Sequence, residues 1–212
     1  MRVMQPLNLL LPALLAVGAA GIGVSYVPGV APAPAPVDAD APVVWNVDPV
    51  HSFVTFRVGH LGIGQAYGRF GKIEGEIRYD AEKPEASSVR VVIDATTVDT
   101  GNANRDKHLL GSDFLSAKEF PEIVFATKSV VVGEDGKMTL TGDLTLHGVT
   151  AEVVAQAEKI GEGQDPWGNQ RIGFEAALTV DRLAHGVDYM PDGLGKDVQV
   201  WIAVEGIREE AE

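Results

Sequence analysis

The sequence predicts an all-β fold, an eight-stranded antiparallel barrel with a short helix near one end. Three observations carry this. Apolar residues recur at every second position through most of residues 51–207, turn signals separate the runs at short intervals, and helix-like sequence is confined to residues 102–116. With 212 residues the chain is long enough for one ordinary domain or one large barrel and too short for two full-sized domains.

The chain opens with an apolar segment. Arg2 is followed by no charge until Asp38, and an apolar core around Leu9–Val17 gives way to small residues, the pattern of an export signal. Ala31-Pro32-Ala33 has the small-x-small spacing of a cleavage site but is followed by Pro34. The stretch from Leu7 to Val27 is also about long enough to span a bilayer uncleaved. Residues 1–30 therefore read as a signal peptide or an N-terminal membrane anchor, and either places the remainder outside the cytoplasm. "APAPAPVDADAP", residues 31–42, reads as a semi-rigid Pro/Ala spacer. The barrel domain is assigned to residues 43–208, with an acidic tail at 209–212.

Eight runs read as strands: 51–58, 68–80, 87–96, 122–132, 137–146, 149–159, 171–181 and 197–207. In "KMTLTGDLTL" Met138, Leu140, Leu144 and Leu146 share one face, and in "SVRVVID" Val89, Val91 and Ile93 do so. "RIGFEAALTV" gives Ile172, Phe174, Ala176, Leu178 and Val180, and "VQVWIAVEGI" gives Val198, Val200, Ile202 and Val204. "GEDGK" (133–137) and "HGV" (147–149) are tight turns. Residues 102–116 form the one helix-like interruption, with Asn102 or Asn104 as its N-cap. Eight antiparallel strands with one apolar face must pack on a second layer or close on themselves, and no helical layer is available. Closure follows, and it removes exposed edges. Inward residues are mostly Val, Ile, Leu and Ala, with Phe56, Phe125 and Phe174 among the few bulky ones. Small side chains around eight strands leave a dry cavity suited to an apolar ligand. Phe56, Val91, Ile93, Phe125, Leu140, Leu144, Phe174, Leu178 and Val200 are its candidate lining.

Charge and composition exclude several functions. A formal net charge of −13 opposes both phosphate-tracking nucleic-acid binding and electrostatic adsorption to anionic lipid. The absence of cysteine excludes a thiol nucleophile, Cys-ligated zinc, iron–sulfur clusters and disulfides. His51, His60, His108, His147 and His185 show no metal-ligand spacing, so no metal and no cofactor is expected, and each histidine is expected to bond a strand end or turn. No Gly-x-Ser-x-Gly elbow is present, and "GHLGIGQAYG" lacks the residues that complete a phosphate loop. "NRDKHLL" (104–110) sets Arg105 and His108 one helical turn apart beside Asp106. An acid, a base and an imidazole here suit proton transfer, but only one such group of residues is visible. Closing or gating one end of the barrel is the reading preferred over catalysis.

The domain resembles the YceI-like family of bacterial periplasmic, lipocalin-like polyisoprenoid-binding proteins. The resemblance rests on "DPVHSFVTFRVGHLG" (48–62), "YGRFGKIEGEI" (67–77), "NRDKHLLGSDFLSAKEFPEIVF" (104–125), "LTGDLTLHGVT" (140–150) and "DVQVWIAVEGI" (197–207), in that order. It implies an elongated barrel holding the tail of an isoprenoid lipid, quinone-like in some members. Arg105, Asp106 and His108 match the family's Arg-Asp-x-His element, and His51, His60 and His147 match its other histidines. Where the family commonly has Arg-x-Asp-Phe-Gly, this chain has "RLAHG" (182–186), so Ala184 and His185 replace Asp and Phe. That departure bears on the local pocket or loop chemistry and not on the barrel. The expected ligand is an isoprenoid-type lipid, polyprenyl or quinone-like, with its polar head near His51, Arg105, Asp106 and His108. A histidine- or metal-dependent envelope enzyme is the alternative. Contact with a membrane through the N-terminal segment, and a homodimer, are left open by the sequence.

Overall fold

The computed structural model describes residues 42–209. The segment 1–30, most of the 31–42 spacer and the end of the acidic tail lie outside them. Eleven strand segments and one α-helix follow in chain order. They are β1 (Val43–Val47), β2 (Phe53–His60), β3 (Gly64–Phe70), β4 (Ile73–Tyr79), β5 (Ser88–Asp94), β6 (Val98–Asp99), α1 (Ala103–Leu109), β7 (Glu122–Val132), β8 (Met138–Leu146), β9 (Val149–Gln164), β10 (Gln170–Asp181) and β11 (Leu194–Arg208). Every pairing among them is antiparallel.

The eleven segments make eight staves of a closed barrel. β1 and β2 form one stave interrupted at residues 48–52, β3 and β4 a second bent at Gly71–Lys72, and β5 and β6 a third broken by a 3-10 turn at Ala95–Thr97. β2 pairs with β3 while β1 pairs with β4, so the first two staves are a single long hairpin. Each later stave pairs with the next, and β11 pairs back with the first stave along both its parts, with β2 from Phe53↔Ala203 to His60↔Leu194 and with β1 through Trp45↔Arg208 and Val47↔Gly206. That last ladder closes the ring.

The strand runs read from the alternating pattern are present, with ends shifted by up to five residues, as where β9 runs on to Gln164, and with three differences of layout. Val43–Val47 is a strand that the pattern missed, because five residues behind a Pro/Ala spacer offer little periodicity. The run assigned to 68–80 is two segments starting earlier, at Gly64, and 87–96 ends sooner and resumes as Val98–Asp99. The helix occupies the predicted stretch, with the Asn102 side chain accepting from Arg105 N at 3.1 Å as its N-cap. The turn between β8 and β9 places His147 and Gly148 both at positive φ, the geometry that lets a two-residue turn follow the sheet's twist.

This meander sorts the connections by end. The β2–β3 hairpin, the α1 connection (100–121), the 147–148 turn and the 182–193 connection share one end, the mouth. The 80–87 connection, the 133–137 and 165–169 turns, the start of β1 and the end of β11 share the other, the base. Near the base the interior is taken up by Trp45, 2% exposed, and Ile172, packed with Ile77 and Val47. Backbones approach closely at Gly75, whose φ is +152° and whose Cβ position lies 2.2 Å from Arg90 O on β5. A side chain there must push β4 and β5 apart. Gly75→Ala is therefore expected to cost about 1–3 kcal/mol of unfolding free energy, read from the urea midpoint.

Candidate functional site

Inward-facing positions of all eight staves line a cavity of about 820 Å³ that runs from Ser87, Val89 and Met138 toward the base up to His60, Arg105 and Tyr189 at the mouth. Its wall includes all nine expected lining residues: Phe56, Val91, Ile93, Phe125, Leu140, Leu144, Phe174, Leu178 and Val200. Alternation explains why one face of each strand supplies the wall. The small residues Ala155, Ala157 and Ala176 explain why the centre is hollow. Tyr79 and Phe174 pack edge to face at 5.4 Å between ring centroids, toward the base.

The polar residues are placed unequally. Arg105 and His108 both reach the cavity wall at the mouth. The Arg105 Nε donates to Thr100 Oγ1 at 2.7 Å and its Nη2 to Thr100 O at 2.8 Å. Asp106 is not in the wall: its carboxylate accepts from the Thr100 backbone N–H at 2.9 Å and from the Thr100 hydroxyl, tying the helix start to the strand before it. His108 shares a hydrogen bond of 2.8 Å with Asp113 and meets Phe114 and Tyr189 edge-on at 5.0 and 5.1 Å, with Phe114 and Tyr189 5.2 Å apart. These three rings join the α1 connection to the 182–193 connection across the mouth.

Arg182 was not among the site residues expected from the sequence, yet it is in the cavity wall and only 4% exposed. It donates to Gly195 O at 2.9 Å, Val187 O at 2.6 Å, Tyr189 O at 3.0 Å and Leu194 O at 3.1 Å, and no ion pair joins it among the described residues. This one guanidinium holds the 187–195 backbone over the mouth. Its signal in the sequence is the first residue of "RLAHG", a position this chain shares with the family pattern. His185 is buried beside it, its Nδ1 3.0 Å from Val149 O, and His147 Nδ1 lies 3.3 Å from His185 O. The polar His185 ring thus links the 182–193 connection to the start of β9.

His51, expected with the polar head group, is elsewhere. It follows β1, and its Nδ1 lies 2.8 Å from Asp48 Oδ2. Arg171 Nη1 donates to the same Asp48 oxygen at 2.7 Å and to Glu205 Oε2 at 3.0 Å, while its Nε donates to Asp165 at 2.8 Å. This network ties the strand break after β1 to β10, β11 and the 165–169 turn. Ligand atoms of Asp48, His51 and Glu205 lie close enough together to hold a metal ion. The Arg171 guanidinium already occupies the space between the two carboxylates, so a cation would have to displace it. Burial pushes the Asp48 carboxyl up, but hydrogen bonds from His51 and Arg171 outweigh this and leave it at about 2. Arg171 and the Asn169 amide hold Asp165 below the usual carboxylate range as well.

A family model described as the YceI-like domain matches residues 45–206. A UPF0312 protein of Shewanella sp. (strain ANA-3) is 39% identical over 159 residues, covering 75% of this chain and 83% of the relative. A solved YCEI protein of Campylobacter jejuni is 30% identical with a TM-score of 0.65, covering 72% of this chain and 90% of that one. The fold is also that of a polyisoprenoid binding domain from Saccharophagus degradans implicated in plant cell wall breakdown. That domain is 14% identical, with a TM-score of 0.59 and 79% of this chain and 99% of that one covered.

The Asp48 network generates a pH dependence. Its carboxyl titrates lower in the fold than in the unfolded chain, so its stabilisation is present above pH 4 and lost as pH falls through about 2. Asp48→Asn is expected to lower stability at pH 7, on the order of 1–2 kcal/mol, and to flatten the acid limb between pH 4 and 2 in urea titrations.

Proposed function

The chain belongs to the YceI-like domain family, and on that premise we propose that it is a binding protein that sequesters or carries an isoprenoid-type lipid, polyprenyl or quinone-like, in the barrel cavity. The observation that carries this reading is the cavity itself. Its volume of about 820 Å³ falls in the range of ligand sites, roughly 300–1,000 Å³. Its length suits a chain-like molecule, and apolar side chains dominate its wall. Each buried methylene contributes about 0.8 kcal/mol, offset in part by ordering a flexible tail. The solved Saccharophagus degradans domain is described as binding a polyisoprenoid, which supports the same ligand class.

The head group of such a lipid would meet Arg105 and His108 at the mouth. Export by residues 1–30 would put the site outside the cytoplasm, where a carrier or store of membrane lipid is needed. Catalysis is a weaker reading of this geometry. Asp106 and His108 bond to separate partners; His51, His147 and His185 are engaged in local hydrogen bonds, and His60 makes no side-chain hydrogen bond among the described residues.

The test is mass spectrometry of whatever co-purifies with the full chain. A prenyl species is expected, and its absence from protein made in a host that supplies it would overturn the reading. Ala176→Trp, which places an indole in the cavity, is expected to reduce the bound lipid by roughly tenfold or more with the circular dichroism of the barrel unchanged. Arg105→Ala is expected to weaken binding by a smaller factor, because it removes a head-group contact and leaves the tail's cavity intact.

A further inference from the structure

We propose that the mouth of the barrel docks on a lipid bilayer through Leu61, Ile63, Tyr67 and Met190, so that the ligand passes between bilayer and cavity without crossing water. This rests on reading the cavity as a lipid site and adds the partner surface from which the site is filled.

The four side chains are exposed, Ile63 by 88%; Leu61 and Ile63 stand on the β2–β3 hairpin, Tyr67 on β3 just after it, and Met190 on the 182–193 connection, which touches the hairpin. The Leu61 backbone N–H donates to Gly193 O at 2.7 Å. A Cβ placed on Gly193 would lie 2.5 Å from Met190 Cε and 3.3 Å from Leu61 Cδ2, so those two side chains lie together. Leu61 and Met190 both have left-handed backbone, with φ of 53° and 49°, where glycine or asparagine is the unstrained choice. Two large apolar residues are thus held in unfavourable backbone conformations and presented to solvent. Neither feature stabilises the fold, which points to a use outside it.

The patch is continuous with the cavity. Tyr67 and Met190 belong both to the exposed rim and to the cavity wall. Gly64, Gln65, Ala66 and Tyr67 all line the cavity although successive strand residues point to opposite faces. The opening therefore lies at the edge of β3. From Gly64 to Gly68 that strand pairs only with β2 among the described residues. Apolar surface runs from the outer tip, past this edge, into the barrel.

Charge does not draw the barrel to a bilayer but orients it there. The whole chain carries −13, yet residues 60–64, 100–121, 147–148 and 182–193 together hold four Lys and Arg against five Asp and Glu. The acidic excess lies away from the mouth, so a negatively charged membrane surface repels the rest of the barrel and turns this end toward itself. A tyrosine beside aliphatic side chains suits the level of the lipid head groups. Four side chains fall well short of the about 20–30 residues a side in a stable protein interface, whereas shallow insertion into lipid has no such requirement.

The absence of cysteine makes the test clean. In the full chain, Ile63→Cys carries an environment-sensitive nitrobenzoxadiazole label, and Val131→Cys, on β7 toward the base, carries the same label as control. Vesicles of phosphatidylcholine with a lipid-borne spin quencher and no prenyl lipid are added, so docking is scored independently of what the cavity holds. The label at 63 is expected to shift to the blue and be quenched, and the label at 131 to stay aqueous. An aqueous label at 63 overturns the proposal, whether or not the protein floats with the vesicles. So does a shift at 63 that needs no vesicles and grows with protein concentration, which would mark a second copy as the occupant. In a separate arm, Leu61→Asn with Ile63→Asp is expected to slow transfer of a prenyl lipid from vesicles by roughly tenfold, with binding of the same lipid from detergent unchanged. An equal transfer rate would count against the docking, whereas loss of binding from detergent in the unaltered chain would count against the cavity reading alone.

Discussion

Everything functional in this molecule depends on the ladder by which the first stave, β1 and β2, joins the last, β11. Its β2 part runs from Phe53 facing Ala203 to His60 facing Leu194, and its shorter β1 part sets Trp45, Asn46 and Val47 against Arg208, Ile207 and Gly206. Without it the same strands would form an open sheet with two unpaired edges and one face of Val, Ile and Leu in water. With it, every inward side chain contributes to one enclosed apolar volume. Trp45 is the bulky residue inside this seam, and its Cβ comes within 2.8 Å of the position a Cβ on Gly206 would take. The closing strand and the last strand are therefore pressed together where glycine leaves room.

Closure around eight staves sets a radius, and side-chain volume decides what occupies it. Near the base Trp45, Ile172 and Ile77 take up the interior. Higher up, Ala155, Ala157 and Ala176 leave it hollow. The two ends then differ in kind. The base is held by an ion-pair network in which Arg171 serves Asp48, Asp165 and Glu205 at once. The mouth is held instead by the buried Arg182 guanidinium on backbone carbonyls, by the His108–Asp113 hydrogen bond and by ring contacts.

The barrel was legible in the sequence because period-two alternation is strong in long strands such as "RIGFEAALTV". It failed where the staves bend: Gly71–Lys72 and Ala95–Thr97 interrupt the period, and β1 is too short to show one. The cavity lining was legible for the same reason as the strands, since alternation by itself assigns each side chain to one face or the other. The polar site was only half legible. Arg105 and His108 sit a helical turn apart, and a helix brings such pairs to one side. His51 could not be placed, because its position follows from the strand break at 48–52 and from Arg171, far away along the chain. Arg182, Tyr189 and Met190 lie on an irregular connection whose path is fixed by one buried guanidinium, and no periodicity announces that.

How the polar groups are used bears on what the cavity can discriminate. A guanidinium has five N–H donors. Those of Arg182 are directed at carbonyls of Gly195, Val187, Tyr189, Leu194 and, at 3.5 Å, Met190, which leaves none for a ligand. Arg105 uses Nε and Nη2 on Thr100 and keeps its Nη1 donors. The His108 Nε2 is committed to Asp113. The mouth thus offers a head group few free hydrogen-bonding partners, and most of its polar chemistry holds the two connections in place. If the proposed lipid occupies it, a site built this way would read the tail more closely than the head, by the length and branching that fit between Phe174 toward the base and Phe56 toward the mouth. Selectivity by apolar shape is modest, about 1–3 kcal/mol per methylene misfit at most, so on the proposed reading such a wall would accept a range of related tails.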